Sequence, residues 1–351
     1  MRYIGLDVHQ RLTTVVWLDR ETGEMSEAYE VPTAELTDHL AGLAGAQKRA
    51  VLEAGTQSHF LARRLMTLGL EVRVVHPFRV RRLFEALYGL KKTDKIDARG
   101  LALALADGYL EHAEVWVAEP DIHELRALTR TRLQLVECNV RLRNSIRQTV
   151  GQEGGVCPYR DLTGPGATEW LDEFAQGLPE PIRFALAAQR AALAVLVAQI
   201  KALSARIAQL VKARTDVALL ETIPGIGTET AAAIVAEIGD IRRFETAAAL
   251  RGYSGLVPRV DQSAGRLRTG PLTKRGNRRL RRIMILAAQH FVRVKTSRDL
   301  SLRKWHASQV FRHGPNPAKV AVARRLLNII FALLRDGTAF DASRYALPDA
   351  A

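Results

Sequence analysis

Short apolar runs alternate with polar turns in the first part of the chain. Residues 2–8, 12–18 and 25–31 are β-rich, and the turn-rich hexamer DRETGE separates the last two runs, which predicts a three-stranded meander. The pattern then changes, because TAELTDHLAGLAG and SHFLARRLMTLG have helical spacing while RAVLE and EVRVVHP are typical of strands. A meander followed by alternating strands and helices predicts an α/β domain, a mixed sheet covered by helices, over residues 1–118.

The middle of the chain, residues 119–215, has the pattern of paired long helices. One helix from about Ile122 to Val150 carries an apolar side and a side of arginines, and residues 151–170 after it are rich in Gly and Pro, typical of a connection or a small irregular insert. The next helix has apolar residues at spacings of three and four, an a/d seam. These positions are Leu193, Leu196, Ile200, Leu203, Ile207 and Leu210. The pattern predicts a coiled-coil domain that packs on itself or on a second copy of the chain.

The last part, residues 216–351, is predicted to be mainly helical. From Leu219 the sequence LETIPGIGTETAAAIVAEIG predicts a helix-hairpin-helix, in which Gly225 and Gly227 relieve the steric limits of the hairpin. Backbone amides of such a hairpin, and the amino terminus of its second helix, can bind a phosphate oxygen. An ordinary turn between helices is the alternative. The segment KVAVARRLLNIIFALLRDG predicts a final amphipathic core helix stopped by glycine.

Composition indicates a soluble globular protein. The 351 residues are 47% hydrophobic and 25% charged, enough for two or three domains with cores of their own. We expect no run to approach the roughly 18 apolar residues of a membrane-spanning helix, and the chain opens on a strand-like run instead of a targeting signal. We therefore expect a cytoplasmic protein without membrane contact, with Cys138 and Cys157 as reduced thiols.

The strong positive charge indicates a polyanionic partner. The formal net charge is +14, and ten basic residues stand between Arg251 and Arg282 against one acid, Asp261. Few aromatic residues interrupt this run, which favours phosphate contact over base stacking. RNA and DNA remain equally open as the nucleic acid. The predicted contact residues are Gly225, Gly227, Arg259, Arg266, Arg268, Lys274, Arg275, Arg278, Arg279, Arg281 and Arg282.

Four carboxylates stand at positions that predict a metal site. Asp7 closes the first strand and Glu53 the fourth, and if these strands are parallel neighbours both acids emerge at one edge of the sheet. Asp94 and Asp97 lie three residues apart at the start of a helix, where like charges repel unless a divalent cation or solvation offsets them. The four acids are suited to two Mg²⁺ ions, with Mn²⁺ as an alternative. Such a pair activates an attacking oxygen and stabilises the leaving oxygen at a phosphodiester.

The order of motifs resembles that of the DEDD transposases of bacterial insertion sequences, the insertion sequence 110 family. The motifs are GLDVH, VLEAG, KTDKIDARGLA, IPGIG, and YSGLVPRVDQSAG followed by TKRGNRRLRR. The resemblance covers nearly the whole chain and implies a RuvC-like (RNase H-like) domain, a coiled-coil middle and a carboxy-terminal transposase domain. It also implies nucleoid-associated recombination of donor and target DNA, guided by a structured noncoding bridge RNA. Family sites combine domains of different subunits, which implies a dimer or tetramer.

The resemblance also implies a catalytic serine. The family motif aligns with DQSAG, which makes Ser263 the expected nucleophile, and Ser254 in YSGLVP is the rival. Attack on phosphate would leave a phosphoserine-linked strand that conserves the bond for rejoining. Two departures affect details: EAGTQSHF replaces Glu-Ala-Thr-Gly with a following aromatic, so His59 or Phe60 takes that place, and alanine follows Ser263 where glycine is usual.

Two other functions are compatible with the same residues. A RuvC-like nuclease would hydrolyse branched DNA with water as the attacking group and would not need Ser263. A degenerate copy would bind nucleic acid without cutting it, although four intact acids and the serine argue against this. His59 and His76 lie near the acidic positions, and an ordinary structural role is favoured over metal binding or acid catalysis.

Overall fold

The computed structural model describes residues 1–43, 47–88, 94–263, 266–273, 275–297 and 300–345. The chain divides into two compact units, Met1–Glu119 and Pro120–Ala351. The further division of the second unit into a coiled-coil domain, 119–215, and a transposase domain, 216–351, stays a prediction.

The first unit contains a five-stranded mixed sheet. Its strands are β1 Arg2–Val8, β2 Leu12–Asp19, β3 Tyr29–Pro32, β4 Lys48–Glu53 and β5 Glu71–Val75. The order is β3-β2-β1-β4-β5, in which β1 is antiparallel to β2 and parallel to β4, and β4 is parallel to β5. The predicted mixed sheet is confirmed. The third strand is shorter than predicted, because Met25 forms only an isolated bridge with Leu18.

Helices cover both faces of this sheet. They are α1 Leu36–Gly42, α2 Ser58–Thr67, α3 Pro77–Tyr88 and α4 Asp94–Ala106. On one face Ile4 and Leu6 of β1 pack with Leu61 and Leu65 of α2.

The other face of the sheet is covered by α3 and α4. There Tyr3 of β1 and Val51 of β4 pack with Val80 of α3 and Leu101 of α4. The two sets alternate along each strand, since neighbouring strand residues point to opposite faces. The two-residue period therefore decides on which face of the sheet each later residue of β1 and β4 lies.

The second unit is mainly helical. Its helices are α5 Pro120–Gln152, α6 Pro165–Gln176, α7 Glu180–Val211, α8 Thr215–Glu221, α9 Thr228–Ile238, α10 Ala247–Ser254, α11 Arg278–Phe291, α12 Ser301–His313 and α13 Pro315–Asp336. A two-stranded sheet of β6 Pro258–Ser263 and β7 Arg266–Leu272 lies between α10 and α11 in the chain. The prediction of an irregular insert before α7 was incomplete, because α6 buries Leu171 in a core with Ile146 and Leu186.

The long helices α5 and α7 pack along each other. In the predicted seam of α7, Leu193 and Ile207 are buried and the other four positions are half-buried. The helices are therefore paired as expected, and knobs-into-holes packing of a coiled coil stays a prediction.

Helix α7 has an unusually apolar composition. It is long and apolar enough to cross a membrane by length and composition alone, which is weak evidence for a span, and 11% of its apolar window is buried. The expectation that no segment approaches such a helix was therefore wrong for α7. Its outer surface includes Phe184, 70% exposed, and Val195, 61% exposed.

Candidate active site and nucleic-acid contacts

Asp7 and Glu53 lie at the same edge of the sheet, which we call the acidic edge. Strands β1 and β4 are adjacent and parallel, and their paired register reaches the residue before each acid. The acids are thus at the carboxyl ends of both strands, where α/β sheets bind ligands. Tyr3 and Val51 face α4, and steps of two residues along each strand put Asp7 and Glu53 on that same face.

Gly5 brings helix α4 onto this face. A Cβ atom on Gly5 would lie 2.7 Å from the backbone nitrogen of Ala102 and closer still to the carbonyl oxygen of Ala98. Only glycine allows this approach of helix backbone to strand backbone. At the other end of the helix, Arg20 donates to the carbonyl oxygen of Ala106, and its neighbour Asp19 pairs with Arg2 at the beginning of β1. Helix α4 therefore runs antiparallel to β1, and its first turn lies toward the end of β1 that carries Asp7.

The remaining acids and histidines have different placements. Helix α4 begins at Asp94, whose side chain lies outside the described residues, and Asp97 is half-buried. His9 was not singled out by the sequence patterns, although GLDVH contains it, and its Nε2 lies 3.2 Å from Oδ2 of Asp7. His76 accepts a hydrogen bond at Nδ1 from the backbone N–H of Phe78, a structural role at the start of α3.

The donor chemistry of this edge suits a hard divalent cation, because Mg²⁺ prefers carboxylate oxygens. Among the described residues, however, no group of three or more His, Cys, Asp or Glu is positioned to hold a metal ion. The side chain of Asp94 is not among them. The acids thus fit magnesium in kind, and the four-carboxylate site itself stays a prediction.

Ser263 is the last residue of β6, in the antiparallel β6–β7 pair, which we call the serine hairpin. It pairs with Arg266 of β7 in the antiparallel register, and its side chain is outside the described part of the structure. The rival Ser254 is completely buried. Its hydroxyl donates to the carbonyl oxygen of Arg251 at 2.8 Å and accepts from the N–H of Leu256 at 3.2 Å. These bonds give Ser254 a structural role at the end of α10.

The chain segments that precede and follow the serine hairpin are in close backbone contact. The N–H of Asn277 donates to the carbonyl oxygen of Tyr253 at 2.6 Å, and a Cβ on Gly276, at φ 94°, would overlap the same carbonyl. A Cβ on Gly255, at φ 69°, would likewise overlap the carbonyl oxygen of Arg275. The motifs YSGLVP and TKRGN, which stand apart in sequence, are therefore in contact between the end of α10 and the start of α11.

A buried carboxylate joins three helices near this base. The side chain of Glu237 in α9 is 2% exposed and accepts two hydrogen bonds from Arg130 of α5, at 2.7 and 2.8 Å. Asn277 donates to its Oε2 at 2.8 Å, and the hydroxyl of Tyr253 donates to its backbone oxygen at 3.1 Å. Burial alone would raise the pKa of Glu237, but the hydrogen bonds from Arg130 and Asn277 outweigh it and hold this pKa below its ordinary value.

Sequence reasoning missed Glu237, although a signal was present. It is the single acid in the otherwise apolar run AAAIVAEIG, and a charge inside an apolar helix face requires a partner. The identity of that partner, Arg130, is not local, since 107 residues separate the two.

The predicted basic contacts separate into three groups. Arg275, Arg278 and Arg279 are exposed. Arg281 donates to the carbonyl oxygen of Ser254, and Arg282 forms an ion pair with Glu137, so these two already have partners within the protein. Lys274 and the side chains of Arg259, Arg266 and Arg268 lie outside the described residues.

The amino terminus of α11 carries an unusual concentration of positive charge. Asn277 caps it by accepting from the N–H groups of Arg279 and Leu280, and its first turn has no acid. Cations are unfavourable near the positive end of a helix dipole. A bound phosphate would offset both the dipole and the arginines.

The two glycines of IPGIG, in the turn between α8 and α9, are not equivalent. Gly225 has φ 84°, and a Cβ there would lie 2.8 Å from the backbone nitrogen of Phe291, so this glycine is required for packing against the end of α11. Nothing lies within 4 Å of the corresponding position on Gly227, the residue before α9. Only Gly227 therefore leaves open space for a phosphate, although Glu229 in the first turn of α9 opposes an anion.

Comparison with known proteins identifies the class. A transposase model of the DEDD type for insertion sequence 110 matches residues 4–153, and the model described as Transposase IS116/IS110/IS902 family matches residues 217–302. Together they cover the acidic edge and part of the second unit that includes the serine hairpin. The fold and both matches define a transposase, an enzyme that recombines DNA.

Relatives extend along most of the chain. It is 30% identical over 341 residues to an insertion element IS116 protein of Streptomyces clavuligerus, covering 83% of each chain. It is 28% identical to a probable family 20 transposase of Pseudomonas aeruginosa, covering 96% of this chain and 98% of the relative. The transposase for element IS1111A of Coxiella burnetii is 26% identical, over 95% of this chain and 90% of the relative. The protein belongs to the IS116/IS110/IS902 family of transposases.

Proposed function

We propose that this transposase cuts and rejoins DNA through Ser263, supported by magnesium held by Asp7, Glu53, Asp94 and Asp97. The observation that carries the proposal is the contact at Gly5. Together with the hydrogen bond from Arg20 to Ala106 at the end of α4, that contact puts the first turn of α4 toward the edge where two strand-end acids share its face. When bound, magnesium would supply Lewis-acid stabilisation of charge at the phosphodiester, and Mn²⁺ is the expected substitute.

Ser263 performs the covalent step in this proposal. Its Oγ forms a bond to phosphorus while the bond from phosphorus to one DNA oxygen breaks, and the released strand leaves as a hydroxyl that carries the serine proton. The DNA phosphate remains linked to serine. Attack by a hydroxyl of another strand reverses these bonds, rejoins the DNA and returns the proton to Ser263.

Positive residues near the serine hairpin hold the nucleic acid. Arg275, Arg278 and Arg279 are exposed around the capped start of α11, and the space beside Gly227 admits a backbone phosphate. Arginine contacts of this kind position a phosphate backbone without reading its sequence. A structured bridge RNA would supply the choice of donor and target DNA, and the charge of +14 suits an RNA partner as well as DNA.

Subunits combine in this proposal to complete one site, with the acidic edge and the serine hairpin from different copies. A dimer or tetramer results. The exposed apolar surface of α7, with Phe184 and Val195, is a surface of the type that subunits bury. We place the enzyme in the bacterial cytoplasm, on the nucleoid, because its DNA substrates are there.

The deciding experiment uses full-length protein, the RNA of its element and end-labelled DNA, with magnesium or with EDTA. After denaturation we expect label that migrates with the protein and disappears on protease treatment. The adduct should be absent from Ser263→Ala, from Asp97→Asn and from the EDTA reaction. Ser343→Ala, which removes an exposed serine of the same unit, is the matched control and should keep it.

Hydrolysis is the competing mechanism, and one observation favours it: both strand-end acids and α4 lie in the first unit, which contains no part of the serine hairpin. Magnesium-dependent cleavage that leaves no adduct and persists in Ser263→Ala would establish a hydrolytic nuclease. Binding without cleavage in every condition would indicate a copy that only binds nucleic acid.

A further inference from the structure

Two phenylalanines lie exposed in the first turns of the helices that leave the carboxyl edge of the sheet. Phe60, in α2, follows β4 and is 54% exposed. Phe78, in α3, follows β5 and is 57% exposed. Single exposed aromatics are ordinary on protein surfaces. These two, however, belong to helices that begin at the edge of the sheet that carries Asp7 and Glu53.

Each ring has an arginine one helical turn further along. The guanidinium carbon of Arg64 lies 5.8 Å from the centroid of Phe60, and that of Arg82 lies 5.9 Å from Phe78. Both pairs have the i, i+4 spacing that brings side chains together on a helix. An apolar ring beside a positive charge is suited to a nucleotide, since the base stacks on the ring and the phosphate contacts the arginine.

The two pairs approach the edge from opposite faces of the sheet. Leu61 and Leu65 fix α2 on the face formed by Ile4 and Leu6, whereas Val80 fixes α3 on the other face. The second face is the one shared by the acids and α4. Phe78 therefore lies on the acidic side of the edge and Phe60 on the reverse side.

From this arrangement we propose that Phe78 and Phe60 are stacking platforms for unpaired bases of the DNA strand that enters the acidic edge. The proposal rests on the proposed function, because it assumes that DNA reaches Asp7 and Glu53. A strand-exchange reaction requires bases to leave their original pairs, and stacking offsets part of the cost of unpairing. Stacking on an aromatic ring tolerates any base, so the platforms would hold the strand without reading its sequence.

The test measures equilibrium binding of full-length protein, in EDTA, to DNA with a short unpaired tail. Phe78→Ala should weaken binding roughly tenfold or more, and Phe60→Ala should weaken it less. Phe78→Trp should retain the affinity. A 2-aminopurine base in the tail should be quenched by wild-type protein and not by Phe78→Ala.

Matched controls separate stacking from general surface effects. Tyr109 is 52% exposed in the same unit, three residues beyond the end of α4 that is remote from Asp97, and Tyr109→Ala should bind like wild type. Replacing the tail with abasic nucleotides should remove the difference between wild type and Phe78→Ala. An equal loss in Phe78→Ala and Tyr109→Ala, or a loss that persists with abasic DNA, would overturn the proposal.

Other occupants give recognisable results. A loss confined to single-stranded RNA would assign the platforms to RNA and refute the DNA assignment. A change of oligomeric mass in Phe78→Ala, measured by light scattering, would assign the ring to a subunit contact. Because binding in EDTA needs no cleavage, the stacking result is independent of the Ser263 adduct, and either proposal can fail alone.

Discussion

The two units use buried or half-buried carboxylates in opposite ways. In the second unit, Glu237 is neutralised by Arg130 and held by Asn277, and its side chain is only 2% exposed, so a ligand has no access to it. In the first unit, the parallel register brings Asp7 and Glu53 to neighbouring strand ends on one face. A carboxylate bound by arginine joins helices, whereas acids gathered at one edge accumulate negative charge that a cation can offset. The surroundings supplied by the fold, an arginine for Glu237 and a neighbouring acid for each strand end, therefore distinguish the two roles.

The largest expected effect breaks the acidic edge without changing an acid. Gly5→Ala places a Cβ atom against the backbone of α4, which cannot move aside as a flexible side chain would. We expect a loss of about 3 kcal/mol in the free energy of unfolding, together with loss of the serine adduct. Urea denaturation measures the first effect and the labelled-DNA assay the second. Gly42→Ala, with nothing within 4 Å, is the control; wild-type stability in Gly5→Ala would refute the close contact.

Removing Glu237 breaks the other side of the comparison. Glu237→Ala leaves Arg130 without its carboxylate and removes one of the two acceptors of the Asn277 amide, whose other acceptor is the hydroxyl of Tyr253. Since Arg130 is partly exposed, we expect a loss of about 2–3 kcal/mol, less than for a fully buried pair. Asp172→Ala removes an exposed ion pair with Arg190 and should cost less than about 1 kcal/mol. Similar urea midpoints for the two variants would mean that the Glu237 contacts contribute little.

Gly225 and Gly227, in the turn between α8 and α9, test whether a glycine is required for packing or for contact with a ligand. Gly225→Ala introduces a Cβ against Phe291 at a positive φ, and we expect it to cost about 1–3 kcal/mol of stability. Gly227→Ala meets open space and should cost roughly 1 kcal/mol or less, but it should weaken DNA binding at low salt. Denaturation and binding titrations of both variants test this; unchanged DNA affinity in Gly227→Ala would remove that phosphate contact.

The smallest expected effect is a pH dependence. Because the pKa of Glu237 is lower in the folded protein than its ordinary value of 4.5, ionised Glu237 stabilises the fold above that value. This stabilisation is lost as the pH falls through the lowered pKa. Other acids, including Asp121 and Asp161, have lowered pKa values and act in the same direction. The difference in stability between wild type and Glu237→Gln should therefore shrink below about pH 4.5; a constant difference would contradict the shift.

Most elements of the first unit were predictable from local patterns. Alternation and helical spacing located the strands near Asp7 and Glu53 and the helix that starts at Asp94. The motifs also identified the family. Charge counts alone could not show that Arg281 and Arg282 have partners within the protein, because both partners come from other elements.

The serine question illustrates the same limit. Ser254 and Ser263 stand in neighbouring motifs, and their residue type is identical. The two hydrogen bonds of Ser254 are local, to Arg251 and Leu256, but its complete burial depends on how α10 packs against other elements. The role of Ser263 stays a prediction from the family resemblance.

The sequence by itself determined the family, the strand-end acids, the helix that follows them and the basic run after residue 251. These features depend on periodicity and residue type, which are local properties of the chain. Only the tertiary structure decided that Gly5 admits α4, that Gly225 packs while Gly227 stays open, and that Glu237 binds Arg130. Each of those outcomes is a contact between residues far apart in sequence, and such contacts are decided by how the elements pack together.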